Sequence, residues 1–213
     1  MIDSKYRDIE VFYDYDIYLP TGTIYLGSIN DDPDYGSEVE AGIDYAVASR
    51  FIKGLHLLED TTFDNIDIIL NNPGGDINHM FALYDAIKTF PKHTTIKCFG
   101  QVMSAASVIF QAGNKRLMAP NCYMMIHDGD WTYSGNTKDY ENWATVSKDV
   151  RKRMYNIYYE RMLAKDSSIS LRRIEYMCNH DKILTANEAV NLGLADSIIK
   201  PYGEESSNEE ETE

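Results

Sequence analysis

Cys98-Phe99-Gly100-Gln101-Val102-Met103-Ser104-Ala105-Ala106-Ser107-Val108-Ile109-Phe110-Gln111-Ala112-Gly113-Asn114 is the stretch that decides how the chain is read. Thr95 to Phe99 has the composition of a short sheet strand, Gly100 breaks it, and Ala105 to Ala112 are small or apolar enough for a buried helix. Ser104 stands at the bend between the two. A serine there sits beside the unpaired N–H groups of a first helical turn, which are natural donors to a negative oxygen. Two roles fit that position. One is a cap on a core helix, the usual task of a serine before an apolar run. The other is a nucleophile whose oxyanion the same turn stabilises. A base and an acid elsewhere in the chain must decide between them.

Similar strand, turn and helix units lie on either side. Upstream, Ile66 to Leu70 reads as a strand that runs into the turn Asn71-Asn72-Pro73-Gly74-Gly75, and Ile77, Met80, Leu83, Ile87 and Phe90 mark one face of the following helix. That turn has neither the P-loop nor the GxGxxG spacing, so nucleotide binding is not indicated. Earlier still, Thr23 to Leu26 forms a strand ended by Gly27, Asn30 to Glu38 an acidic loop, and Val39 to Leu58 a helix with Ile43, Val47, Phe51 and Leu55 at four-residue intervals. Residues 1–22 read as a separate arm, in which Ile9-Glu10-Val11-Phe12 alternates like an edge strand or a segment that orders against a partner.

Downstream, Arg116 to Met118 and Cys122 to Ile126 are strands around the turn Ala119-Pro120-Asn121, the second ending at His127. A polar stretch from Asp128 to Asn136 leads into a long helix, Lys138 to Leu163, whose apolar face is Val146, Val150, Met154, Ile157 and Met162. Its basic cluster, Lys148, Arg151, Lys152 and Arg153, reads as a solvated or ion-pairing face between subunits. Ser168 or Ser170 caps a short helix toward Cys178, Thr185 to Glu188 has capping-box spacing, Gly193 stops that last helix, and Ala195 to Ile199 forms a final strand. From residue 201 to 213 a glutamate-rich tail is expected to be disordered.

The 213 residues suffice for one full-sized α/β core, taken here as residues 23–200. A formal charge of −14 argues against a nucleic-acid partner and gives no sign of a membrane surface. The N-terminus has no basic-then-apolar signal pattern and no run approaches a membrane span, so a soluble, cytoplasmic protein is the expectation. Cys98, Cys122 and Cys178 are far apart with no CxxC pair, and His56, His79, His93 and His180 make no HxxxH or HExxH array. Neither a disulfide framework nor a metal site is indicated.

The ordered set of motifs resembles ClpP, the proteolytic subunit of the Clp protease, within the ClpP/crotonase fold. The resemblance covers roughly Thr23 to Ile199. It rests on Tyr25-Leu26-Gly27, Asn72-Pro73-Gly74-Gly75, Gly100 to Ala105, Met125-Ile126-His127, and Asp181 followed by Leu184 to Ala189 and Gly193 to Asp196. It implies an α/β fold built as a repeated β/β/α spiral with a protruding strand-helix handle, here about residues 128–163. It further implies Ser104 as nucleophile, His127 as base, Asp181 as the acid that orients the base, and the backbone N–H groups of Gly75 and Ala105 as oxyanion donors. Asp128 and Asp130 are alternative local acids; Asp181 is favoured by the matching helix-cap region after it.

The implied activity is serine endopeptidase cleavage of peptides or unfolded protein inside a homo-oligomeric chamber, taken as stacked seven-subunit rings. No cofactor is implied in the proteolytic subunit, and ATP would be used by a partner unfoldase of the Clp family. Two other readings stay open: a noncatalytic assembly subunit of the same fold, and a crotonase-like acyl-CoA enzyme. The sequence departs from the family at residues 1–22, in the long acidic region Asp31 to Leu58, and at Asp128-Gly129-Asp130, where Gln-Pro is common after the histidine. Ala105 replaces the usual Met, a change that leaves the main-chain donor in place.

Overall fold

The computed structural model describes residues 4–27 and 42–201. The acidic loop, the first residues of the expected helix from Val39, and the glutamate-rich tail lie outside the described residues. The chain opens with α1 (Ser4–Tyr15), followed by β1 (Ile17–Tyr18), β2 (Thr23–Leu26), α2 (Tyr45–Glu59), β3 (Asn65–Asn72), α3 (Ile77–Lys88), β4 (His93–Met103) and α4 (Ala105–Phe110). After these come β5 (Lys115–Met118), β6 (Tyr123–Ile126), α5 (Thr137–Leu163), α6 (Leu171–Cys178), β7 (Lys182–Thr185), α7 (Ala186–Asn191) and β8 (Ser197–Ile198).

The spine of the sheet runs β1-β2-β3-β4-β5-β8, parallel from β2 onward, with β1 antiparallel at its edge. Parallel strands covered by helices read as nearly continuous apolar runs, and Ile66, Ile68 and Leu70 of β3 and Ile96 and Cys98 of β4 are fully buried. Above Gly100 the sheet forks. The first half of β4 pairs with β5 through Thr95 to Cys98, and the second half pairs with β6 through Gln101 to Met103. Gly100 therefore does not end the strand, as its sequence implied. It takes a positive φ of 68°, and the register against β3 shifts between Leu70 and Asn72 at the same level, so the glycine bends one strand toward a second partner.

Helix α4 is buried along its whole length, which explains its run of small and apolar residues. Its Ser107 hydroxyl is bonded to the Ser104 carbonyl at 2.6 Å and to the Tyr158 hydroxyl of α5 at 2.7 Å. Helix α5 is buried only in its C-terminal half, through Val150, Met154, Tyr158 and Met162, four residues apart. Val146, expected on the same face, is exposed together with Tyr140 and Trp143. Within the basic cluster, Arg153 pairs with Asp149 and stands over the Phe81 ring, and Arg151 lies 3.8 Å from Asp128.

Two local readings need correction. Residues 4–15 form a helix instead of an edge strand: the alternation over four residues is outweighed by tertiary contacts, with the Phe12 ring 6.0 Å from Tyr18 and 5.4 Å from Tyr25. Residues 127–136 form no strand, so the handle consists of an irregular segment and α5. Elsewhere the caps follow the sequence: Ser170 accepts from the Arg173 N–H, and Thr185 and Glu188 form a complete capping box.

Candidate active site

Sheet register brings three distant residues to one place. Met103 of β4 lies opposite Met125 of β6, so Ser104, the next residue, donates its N–H to the Met125 carbonyl at 2.8 Å. Ile126 of β6 lies opposite Lys182 of β7 in an antiparallel pair, so the residues just beyond that pair, His127 and Asp181, are neighbours by construction. The Asp128 N–H donates to the Cys178 carbonyl at 2.8 Å and extends the junction. The resulting hydrogen-bond chain is continuous: Ser104 Oγ to His127 Nε2 at 2.7 Å, and His127 Nδ1 to Asp181 Oδ1 at 2.9 Å. The histidine ring is largely covered, whereas the Asp181 side chain is 68% exposed.

Ser104 does not cap α4; its side chain makes no capping hydrogen bond. It instead occupies a positive φ of 52° with ψ of −124°, a conformation costly for a residue with a Cβ. Such strain aims Oγ outward while α4 begins at once behind it. The N–H of Ala105, the first residue of α4, belongs to the orphan donors of a helix start.

The turn after β3 passes directly against that bend. A Cβ on Gly74 would lie 2.7 Å from Ser104 Cβ and 3.0 Å from the Ala105 nitrogen, and one on Gly75 would lie 2.3 Å from the Ile43 carbonyl oxygen. Only glycine lets the backbone come so near at both positions, which take φ of 108° and 149°. Ile43 forms a bridge to the turn by donating to the Gly74 carbonyl at 2.6 Å and accepting from the Asp76 N–H at 2.8 Å. That pattern leaves the intervening Gly75 N–H outside the bridge. Buried Asn72 supports the turn by accepting the Gly74 N–H at 2.8 Å, a role not read from the sequence beyond its place in the motif.

A cleft of about 460 Å³ opens over these groups. Ile77, Met80 and Met154 give it apolar walls, and Asp76, Asp128 and Asp130 line it with carboxylates. Asp128, weighed as an alternative acid, is not the partner of His127 Nδ1, which is Asp181; it accepts from the Tyr155 hydroxyl at 2.5 Å. Burial, and then the Asp128 carboxylate, push the Tyr155 phenol above its ordinary range, so it remains a proton donor. Among the described residues no group of three or more His, Cys, Asp or Glu side chains is arranged to hold a metal ion. No described helix is long and apolar enough to cross a membrane.

Comparison with known proteins decides the family. The model of the Clp protease family matches residues 38–202. The chain belongs to the Clp protease family. Among its relatives, the ATP-dependent Clp protease proteolytic subunit 2 of Streptomyces coelicolor is 35% identical over 161 residues, 74% of this chain and 72% of that protein. Proteolytic subunit 4 of Rhodococcus jostii is 29% identical over 166 residues, covering 77% of this chain and 81% of the relative. A solved structure of a ClpP1 mutant from Listeria monocytogenes superimposes with a TM-score of 0.71 at 25% identity, over 86% of this chain and 94% of the other. The mixed α/β architecture is thus that of the Clp protease fold.

Proposed function

We propose that this Clp protease family member is a serine endopeptidase in which Ser104, His127 and Asp181 carry the reaction. The observation that supports it most is the unbroken chain from Ser104 Oγ through both His127 nitrogens to Asp181. A neutral serine hydroxyl is a weak nucleophile, so proton transfer to Nε2 must accompany its attack on the peptide carbonyl. Asp181 fixes the tautomer with Nδ1–H and stabilises the imidazolium that forms. The tetrahedral oxyanion is received by the N–H groups of Gly75 and Ala105, worth about 3 kcal/mol per donor in a comparable hole. The proton on Nε2 then passes to the leaving amine, and water repeats the cycle to release the acyl group. This sequence of steps needs no metal or cofactor in the chain itself.

A crotonase-like acyl-CoA enzyme would use oxyanion donors without a serine, histidine and aspartate in series, so the geometry favours peptide hydrolysis. For the assembly we infer a homo-oligomeric chamber of stacked seven-subunit rings joined through α5, served by an ATP-dependent unfoldase when folded proteins are degraded. Exposed Tyr140, Trp143 and Val146 on the N-terminal half of α5 support that contact. Cleavage of short unstructured peptides by the assembled protein, compared with Ser104→Ala at equal assembly, is the test. Turnover lost in the variant supports the reading; equal turnover, or CoA-thioester binding with no peptide cleavage, overturns it.

A further inference from the structure

The cleft over Ser104 carries a feature that the reaction itself does not use. Of its three carboxylates, Asp76 is committed to capping α3, accepting from the Asn78 and His79 N–H groups at 2.8 and 3.1 Å. Asp128 is committed to Tyr155 and lies near Arg151. Asp130 is exposed and makes no hydrogen bond or ion pair among the described residues, and no lysine or arginine lines the cleft. Beside it stands Trp131, 42% exposed, with no ring partner among the described residues.

These two residues line the same cleft as Ser104 and His127. A Cβ on Gly129 would be 4.0 Å from His127 Nε2, so the backbone leading into Asp130 and Trp131 passes beside the base as it leaves β6. An unpaired carboxylate and an unstacked indole lining one cleft match the chemistry of one ligand class. The aromatic face takes the cation and its aliphatic stem, and the carboxylate takes the N–H donors. Ile77, Met80 and Met154 meanwhile offer apolar walls to a second, uncharged side chain.

We propose that Asp130 and Trp131 are specificity-determining residues that select peptides bearing an arginine or lysine beside the scissile bond, its neighbour being apolar. This deepens the peptidase reading and rests on it. The two can be tested separately, because binding and cleavage respond to different residues. A set of matched fluorogenic peptides carrying Arg, Lys, Gln or Glu at each position flanking one apolar residue is presented to the assembled full-length protein. Binding of the same peptides to the Ser104→Ala protein is followed by fluorescence anisotropy.

At one flanking position the Arg peptide is expected to exceed the Gln peptide about 5- to 10-fold, in kcat/KM and in affinity for Ser104→Ala. The ratio falls as salt is raised toward 1 M, where the screening length shrinks to about 3 Å. Asp130→Asn brings it near one, and Asp130→Lys inverts it in favour of the Glu peptide. Trp131→Ala lowers it without inversion. Equal binding of Arg and Gln peptides at every position, or a preference that survives Asp130→Asn, overturns the proposal. Absence of cleavage with the binding preference intact sinks the peptidase reading alone.

Discussion

At the scale of single residues, the proposed nucleophile Ser104 is where stability and chemistry would pull apart. Its φ of 52° is one a glycine adopts freely and a serine does not. Ser104→Gly should therefore raise unfolding stability by about 1 kcal/mol, after allowing for the looser unfolded chain, while eliminating turnover. Chemical denaturation of matched proteins measures this; a destabilised variant would mean the bend is not strained. Asp181 belongs to the same scale. If it holds the Nδ1–H tautomer, Asp181→Asn should lower kcat about 10³- to 10⁴-fold with KM little changed. A loss confined to KM would instead assign it to substrate binding. The residues and their meeting were both expected through the family motifs, and neither came from the chain's own periodicity. Ser104 and His127 are 23 positions apart and His127 and Asp181 are 54, and periodicity carries no information about such separations.

At the scale of elements, legibility followed length and period. Strand β3 and helix α3 were readable because each repeats its apolar side chains several times. Strand β7 was missed: its four residues, Lys182-Ile183-Leu184-Thr185, expose three side chains and bury only Leu184, too short a pattern beside the capping box that follows. Yet β7 is the element that delivers Asp181 to His127. Helix α1 was misread for the opposite reason, since four alternating residues looked like a strand until Phe12 met Tyr18 and Tyr25.

The capping box at the end of β7 makes a prediction of its own. The Thr185 N–H, then its hydroxyl, holds the Glu188 carboxyl below its ordinary value. A carboxyl depressed on folding adds stability above its unfolded pKa, and that contribution is lost as pH falls through the lower folded value. The difference in Tm between the parent and Glu188→Ala should thus be greatest above about pH 5 and shrink on further acidification. A difference independent of pH would place the contribution elsewhere.

At the scale of the whole molecule, the exposed half of α5 sets the expectation for assembly. Tyr140, Trp143 and Val146 recur every three residues on a helix whose other half is anchored in the core. A helix that presents such a stripe to water normally packs against another surface. If subunits meet through this stripe as proposed, Trp143→Glu should give a smaller species in sedimentation velocity without changing the far-ultraviolet circular dichroism. An unchanged sedimentation profile would remove α5 from the interface. The segment 127–136, irregular where a handle strand was expected, joins His127 to that helix, and the hydrogen bond from Tyr155 to Asp128 ties its start to α5.

Peptide hydrolysis by this chain requires an activated Ser104 hydroxyl in the assembled protein. Intact-mass spectrometry after exposure to a fluorophosphonate, followed by peptide mapping, reads this directly. The structure predicts one adduct per chain, located at Ser104, absent from Ser104→Ala and strongly slowed in His127→Ala. An assembled protein that remains unlabelled, or labels equally fast without His127, would contradict it.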